Sequence, residues 1–501
     1  MTREFARSRT SATRAHPTRP PVRLVVCTAL FAATAFAALS CAPSSEGEFS
    51  YIPASRAPGS PADLGLSGYA KVMCSAIYVS GRDPEEAVVN SGYFLVPEDI
   101  LPAVRGPFID PETGIVRMVY ADTLSGAARY MGDQGCVLLP PGRDRPYFGP
   151  VPVRTTLPPA DSMDWPMGDR TTPYTPPPGV DTAGIREAVD LAFADSAGLT
   201  QAFIVVHRGR IVGERYAPGV DKDTQLESWS MGKSLTATLV GLLIRDGEFS
   251  LDDPAPVPLW HEDPDDPRGA IRISHLLQMS SGLHFIAPRD PDYGPGSPYP
   301  DHMAVYTKPL DVFRFSIDRP LQFPPGTEGR YRNSDPLTLG YIIREKVRAR
   351  GEEYLTYPQR ALFDRIGIRK QVLETDPYGN FVLTGFDYGT ARNWARLGML
   401  YLQDGVWEGD RLLPEGFVDF VRTPAPAWKE PVYGGLFWVN GDSAWALPRD
   451  AYFMAGGGGQ RAFIVPSHDL VVVRLGHFRG NTPGMAALNR ALARLMEAVG
   501  G

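Results

Sequence analysis

Ser230-Met231-Gly232-Lys233 opens an apolar run in which Leu235, Leu239, Val240, Leu242 and Leu243 recur at helical spacing. A serine and a lysine three residues apart at the start of such a helix share one face. A serine hydroxyl is a weak nucleophile and needs an adjacent base. A lysine amine, ordinarily of pKa ~10.4, becomes that base when burial disfavours the ammonium form. A helix N-terminus, which repels a nearby cation, pushes the same way. The chain holds 7 lysines against 43 arginines, and only Lys233 has a serine three positions before it. A lysine retained on an apolar helix in so lysine-poor a chain is not expected to be a solvated surface charge.

Nucleophilic chemistry also needs a group that moves protons between nucleophile, base and leaving group. Pro324-Pro325-Gly326-Thr327 leads to Tyr331-Arg332-Asn333, and Leu337, Leu339, Ile342 and Ile343 follow as a second helical pattern. The triplet recurs as Tyr378-Gly379-Asn380 in a loop-like stretch. Tyr331 is preferred because a Pro-Gly turn presents it rigidly before a helix. A core tyrosine at 331 and a helix cap at Asn333 are the alternatives. The third element is Gly456-Gly457-Gly458-Gly459-Gln460, directly before an apolar strand pattern. Glycines at a strand start mark close approach to the backbone, which in acyl transfer is the approach of the substrate to oxyanion-binding N–H groups. The N–H groups of Ser230 and Gln460 are the candidates, with Gly459 beside them and a functionless turn as the alternative.

The elements that must position these residues come from both ends of one region. Ile185, Val189, Leu191 and Ala192 recur at helical spacing. Residues 202–206 then read as a strand that turns at Arg208-Gly209-Arg210 into 211–216. At the far end, 461–465 and 470–475 form a hairpin around Pro466-Ser467-His468-Asp469. A closing helix follows, with Thr482 as N-cap, Pro483 in the first turn, and Leu488, Leu492 and Leu495 on one face. One antiparallel sheet flanked by helices is implied, an α+β fold over residues 181–501. Residues 42–180 are Pro-punctuated, with short strands expected at 94–96 and 116–120 and an ordered wrap over 139–180.

The first 41 residues read as an export signal. Six arginines precede an apolar run at 24–39, too short to span a bilayer of ~30 Å comfortably. Ala38-Leu39-Ser40-Cys41 is similar to a lipobox, so Cys41 is a candidate for lipidation and membrane attachment, with plain secretion as the alternative. The expected location is the periplasm or a membrane-anchored lipoprotein of a bacterium. Cys27 leaves with the signal, so Cys74 and Cys136 remain; in an oxidising compartment they are expected to pair, two free buried thiols being the alternative. Without the basic leader the net charge deepens from −7 to about −12, which argues against nucleic acid as a partner. His261-Glu262-Asp263-Pro264-Asp265-Asp266 is an acidic loop and no His-Glu-x-x-His occurs, so neither metal nor cofactor is implied.

Taken together, Ser230-x-x-Lys233, Tyr331-x-Asn333 and the glycine run resemble the serine β-lactamase and penicillin-recognising family, in its class C-like branch. His275-Leu276-Leu277-Gln278-Met279-Ser280-Ser281-Gly282-Leu283 also looks like this branch, as do 390–398 and Asp404-Gly405-Val406-Trp407. The resemblance covers residues 183 to 500, closest in style to 6-aminohexanoate-oligomer hydrolases and related esterases. It implies a mixed sheet-and-helix domain, an all-helical lobe, and an acyl-enzyme formed by Ser230 with Lys233 and Tyr331. The substrate would be a carboxylic ester or small linear amide. Gly457-Gly458-Gly459 stands where relatives carry Lys-Thr-Gly or a histidine, so the cation that meets a β-lactam carboxylate is expected to be missing. His477 is a candidate polar contact from the neighbouring strand, a surface or core histidine being the alternative. The rival readings are a sensor that is acylated without turnover and a cell-wall D-Ala carboxypeptidase. Specificity is expected to sit in loops such as 286–309.

Overall fold

Ser60 caps a helix of 18 residues, α1 (Pro61–Tyr78): its hydroxyl accepts from the Asp63 amide while the Asp63 carboxylate receives the Ser60 N–H. The computed structural model describes residues 59–500, so the leader 1–41 and Cys41 lie outside the described residues. Helix α1 escapes a reading by periodicity because Leu64, Leu66, Tyr69, Ala70, Val72 and Met73 are all buried, leaving no single apolar stripe. A short helix α2 (Pro84–Asn90) follows. An antiparallel sheet of β1 (Val104–Asp110), β2 (Ile115–Tyr120), β3 (Leu124–Tyr130) and β4 (Cys136–Leu138) runs in sequence order and packs on α1. Strand β2 covers the expected 116–120. The expected strand at 94–96 is instead the 3₁₀ turn Tyr93–Leu95.

Two fastenings tie this region down. Cys74 on α1 and Cys136 on β4 form a disulfide with Cα atoms 5.9 Å apart. Lys71 pairs with Glu374, which also accepts from the Ser75 hydroxyl at 2.8 Å and the Cys136 amide at 2.7 Å. The region is thus packed into the same compact unit as the residues that follow it.

Helix α3 (Thr182–Leu191) leads to β5 (Thr200–His207) and β6 (Arg210–Tyr216). Helices α4 (Gly232–Arg245), α5 (Asp301–Thr307), α6 (Ser334–Ala349) and α7 (Ala391–Leu402) come next. Strands β7 (Trp438–Val439), β8 (Tyr452–Gly456), β9 (Gln460–Val465) and β10 (Leu470–Gly476) and helix α8 (Asn481–Val499) close the chain. The second sheet is antiparallel throughout, in the order β7-β8-β9-β10-β5-β6. The two ends of the region 181–501 meet where Val472 of β10 pairs with Val205 of β5.

Consecutive apolar residues in β5 and β10 reflect burial of both sheet faces. Phe203, Val205, Phe463 and Val472 pack with Ile185, Leu488 and Leu492 of α3 and α8. Ile204, Ala462 and Val473 face the opposite way, into the main core with Leu239 of α4 and Leu397 of α7. The α+β architecture follows from this layering: helices on one face, sheet, then the helical lobe containing α4 to α7. Helix α8 starts at Asn481 and not after Thr482, because the 3₁₀ turn Phe478–Gly480 runs straight into it.

Candidate active site

Trp229 sits at φ +49° directly before Ser230, a left-handed conformation that a bulky residue adopts at an energetic penalty. It belongs to the 3₁₀ turn Trp229–Met231, which delivers the chain into α4. The turn places Ser230 at the wall of a cavity of about 630 Å³, within the range of small-molecule sites. Strand β8 ends against this turn. A Cβ at Gly456 would collide with the Ser228 carbonyl, so only glycine lets the strand come so close.

Lys233, in the first turn of α4, is buried and donates to Ser230 Oγ at 2.8 Å and to the Thr384 carbonyl at 2.9 Å. Burial holds its amine well below the usual lysine range, and the nearby Arg289 charge adds to the effect. The neutral amine is therefore favoured, as a base requires. The Thr384 carbonyl is a hub: the Ser230 hydroxyl lies 3.3 Å from it and the Tyr306 hydroxyl donates to it at 2.5 Å.

Tyr331 lines the same cavity, with Lys233 Nζ 5.0 Å from its ring centre. Burial raises its phenol, opposed by the interaction with Ser230 and by the charges of Arg289 and Arg461. Tyr306 of α5 is raised by burial as well and also reaches Ser230 and Asn333. Two phenols thus flank the nucleophile. Tyr378 of the competing triplet is exposed and packs at a tilt against Tyr147; Asn380 binds Asp376 and Asp311. Asn333 stands at the N-cap of α6 but donates to the His302 carbonyl at 2.8 Å, so it braces the wall from behind.

Three expected contacts lie elsewhere. Gln460 pairs with Gly456 across the glycine turn, and its carboxamide binds both backbone groups of Gly476. The backbone at the cavity wall is Gly456, Gly457 and Gly458, and neither Gly459 nor Gln460 reaches it. Gly459, at φ +78°, instead turns its carbonyl to Arg474. His477 follows β10 and faces Glu86 of α2 at 3.5 Å, with burial lowering its pKa to about 3; it braces the N-terminal region and lies off the cavity. The lining carries no lysine at the glycine run, but two arginines, Arg289 and Arg461, do line the cavity.

Spacing alone had not singled out several wall residues. His302 and Tyr306 lie on a helix of seven residues inside the loop 286–309. Burial keeps His302 neutral, and the charges of Arg289 and Arg332 act in the same direction. Phe94 reaches the cavity from the N-terminal region, stacked on Phe478 with ring centres 3.5 Å apart and edge-on to Trp229. Arg461 alone carried a visible signal, being the first charged residue after the glycines.

The chain matches the sequence profile described as Beta-lactamase over residues 189–497. It is 26% identical to a 6-aminohexanoate-dimer hydrolase of Paenarthrobacter ureafaciens, over 61% of this chain and 80% of that protein. The fold is similar to that of a putative 6-aminohexanoate-dimer hydrolase from Bacillus anthracis, with TM-score 0.50 and 20% identity over 60% of this chain and 80% of the other.

Proposed function

The chain belongs to the beta-lactamase family and is a serine hydrolase, and from that premise we propose that it cleaves a carboxylic ester or small linear amide through an acyl-enzyme on Ser230. The observation that carries this reading is the 2.8 Å hydrogen bond from a buried, neutral-favouring Lys233 amine to Ser230 Oγ. Lys233 takes the hydroxyl proton as Oγ bonds to the substrate carbonyl carbon. Tyr331, protonated at working pH, relays a proton to the departing alkoxide or amine. Collapse of the tetrahedral adduct leaves an ester on Ser230. Water, deprotonated by the same pair, then attacks that ester and releases the acid. The Ser230 N–H and the backbone of Gly456–Gly458, in place of Gln460, are the proposed oxyanion donors. The name of the Paenarthrobacter relative supports a linear amide as one substrate. Export, with a lipid on Cys41, completes the proposal, and the Cys74–Cys136 disulfide supports an oxidising compartment.

The test is product release from 4-nitrophenyl butyrate and from the 6-aminohexanoate dimer, wild type beside Ser230→Ala. Turnover lost in the variant is the expected result. Wild-type turnover retained by Ser230→Ala refutes the mechanism, and acylation of Ser230 without release would make the protein a sensor.

A further inference from the structure

Among the described residues, every side chain lining the Ser230 cavity but one lies within 189–497, the span that matches the family profile. The exception is Phe94, from the 3₁₀ turn Tyr93–Leu95 of the N-terminal region. That turn is fastened on both flanks. The Ser91 hydroxyl accepts from Arg82 at 2.8 Å and reaches Glu227, two residues before Trp229, at 3.3 Å. Arg479 donates from Nε to the Val89 carbonyl at 2.7 Å, and its guanidinium lies 4.3 Å from the Tyr93 ring centre. Leu95 is buried in the main core. With its neighbours fixed, Phe94 presents a half-buried ring to the cavity.

Two aromatic groups divide the cavity wall. Tyr331 belongs to one, its ring centre 5.3 Å from Trp438 and 5.9 Å from His302. Phe94 belongs to the other, stacked on Phe478 and edge-on to Trp229 with ring centres 5.4 Å apart. This second group lies against the glycine run, since a Cβ at Gly457 would stand 3.1 Å from the Phe478 ring and 3.7 Å from Trp229. A leaving group must meet the Tyr331 phenol to receive its proton, so it occupies the Tyr331 side. The acyl part is then directed to the other side, past Gly457 and towards Phe94. A ring locked between two others cannot withdraw to admit a longer chain without giving up both contacts.

We propose that Phe94 ends the acyl side of the cavity and restricts the enzyme to short apolar acyl groups, so that a residue of the N-terminal region sets the specificity of Ser230. This rests on the acyl-enzyme reading above, and the test separates the two.

The turnover arm compares kcat/KM for 4-nitrophenyl acetate, butyrate and octanoate in wild type, Phe94→Leu and Phe94→Ala. The binding arm titrates methyl butyrate and methyl octanoate into Ser230→Ala, with and without Phe94→Ala, read by tryptophan fluorescence. Wild type should prefer butyrate to octanoate by at least about tenfold, the scale on which a pocket rejects surplus methylenes. The preference should collapse or invert in Phe94→Ala and lie between in Phe94→Leu, while acetate, too short to reach the ring, keeps its wild-type rate. An equal loss for all three esters would make Phe94 a structural support and overturn the proposal. Octanoate accepted by wild type as well as butyrate would overturn it too. If no ester is turned over, the binding arm decides. Methyl octanoate bound tightly only after Phe94→Ala would uphold the wall and instead refute the hydrolase reading, whereas affinities unchanged by Phe94→Ala would overturn the proposal.

Discussion

The Lys233 amine and the Ser230 hydroxyl are 2.8 Å apart at the base of the cavity, and the Thr384 carbonyl lies within reach of both. Only the neutral amine can take the hydroxyl proton. Burial and Arg289 lower the Lys233 pKa, so activity should fall as pH drops through a value well below the usual lysine range. Tyr331 is raised, so it stays a donor until strongly alkaline pH. The pH profile of kcat/KM should be a broad bell whose limbs belong to the coupled pair. Ser230→Ala and Lys233→Ala should each lower kcat by orders of magnitude and show little further loss when combined, as members of one catalytic unit do. A profile flat from pH 5 to 10 would count against Lys233 as base.

The same amine should be a burden on the fold. An unfolded lysine stays protonated up to ~10.4, whereas the folded protein disfavours the cation. The unfolded chain then binds more protons, so this contribution to stability rises with pH. Lys233→Met should be inactive, and its stability relative to wild type should be greatest in mild acid and shrink towards pH 10. Thermal melts at pH 6, 8 and 10 read this directly. A difference that stays flat from pH 6 to 10 would mean that Lys233 is charged in the folded protein.

The readable part of this architecture was the part with local rules. Ser230 and Lys233 are one helical turn apart, and the paired strands around residues 208–210 and 466–469 are joined by short turns. What stayed hidden depends on distant packing. Thr384 is more than 150 positions beyond Ser230 and acts through its backbone carbonyl, which no side-chain pattern records. Phe94 reaches the cavity only because α1 and the Cys74–Cys136 disulfide hold the N-terminal region in the same compact unit. Helix α1 lacked a stripe because it is buried nearly all round. The missing lysine was legible at Gly457-Gly458-Gly459, whereas Arg461 reaches the cavity from the next strand, which no local spacing announces.

Two phenols compete for the proton relay. Tyr331 faces Ser230 from the cavity wall, while Tyr306 is committed to the Thr384 carbonyl at 2.5 Å. Tyr331→Phe should lower kcat by about 10²–10⁴, the usual worth of a positioned acid–base group, with little change in KM. Tyr306→Phe should be milder and act on the pH profile, since it frees the carbonyl that also holds Lys233. Reversal of that order would move the relay to Tyr306.

Lys71 and Glu374 form a buried ion pair between α1 and the catalytic region. Burial works against the charge on each, and the partner's charge opposes it, helped on Glu374 by hydrogen bonds from the Cys136 amide and the Ser75 hydroxyl. Removing the cation alone strands a carboxylate that must still accept from Ser75 and the Cys136 amide. Lys71→Met should therefore lose about 3–5 kcal/mol at pH 8, and the loss should shrink in acid as Glu374 takes a proton. Lys71→Met/Glu374→Gln keeps the acceptor without its charge and should recover most of that stability. Urea denaturation at pH 5 and 8 separates the cases. A double variant as unstable as the single at pH 8 would show that lost lysine packing, and not the stranded charge, dominates.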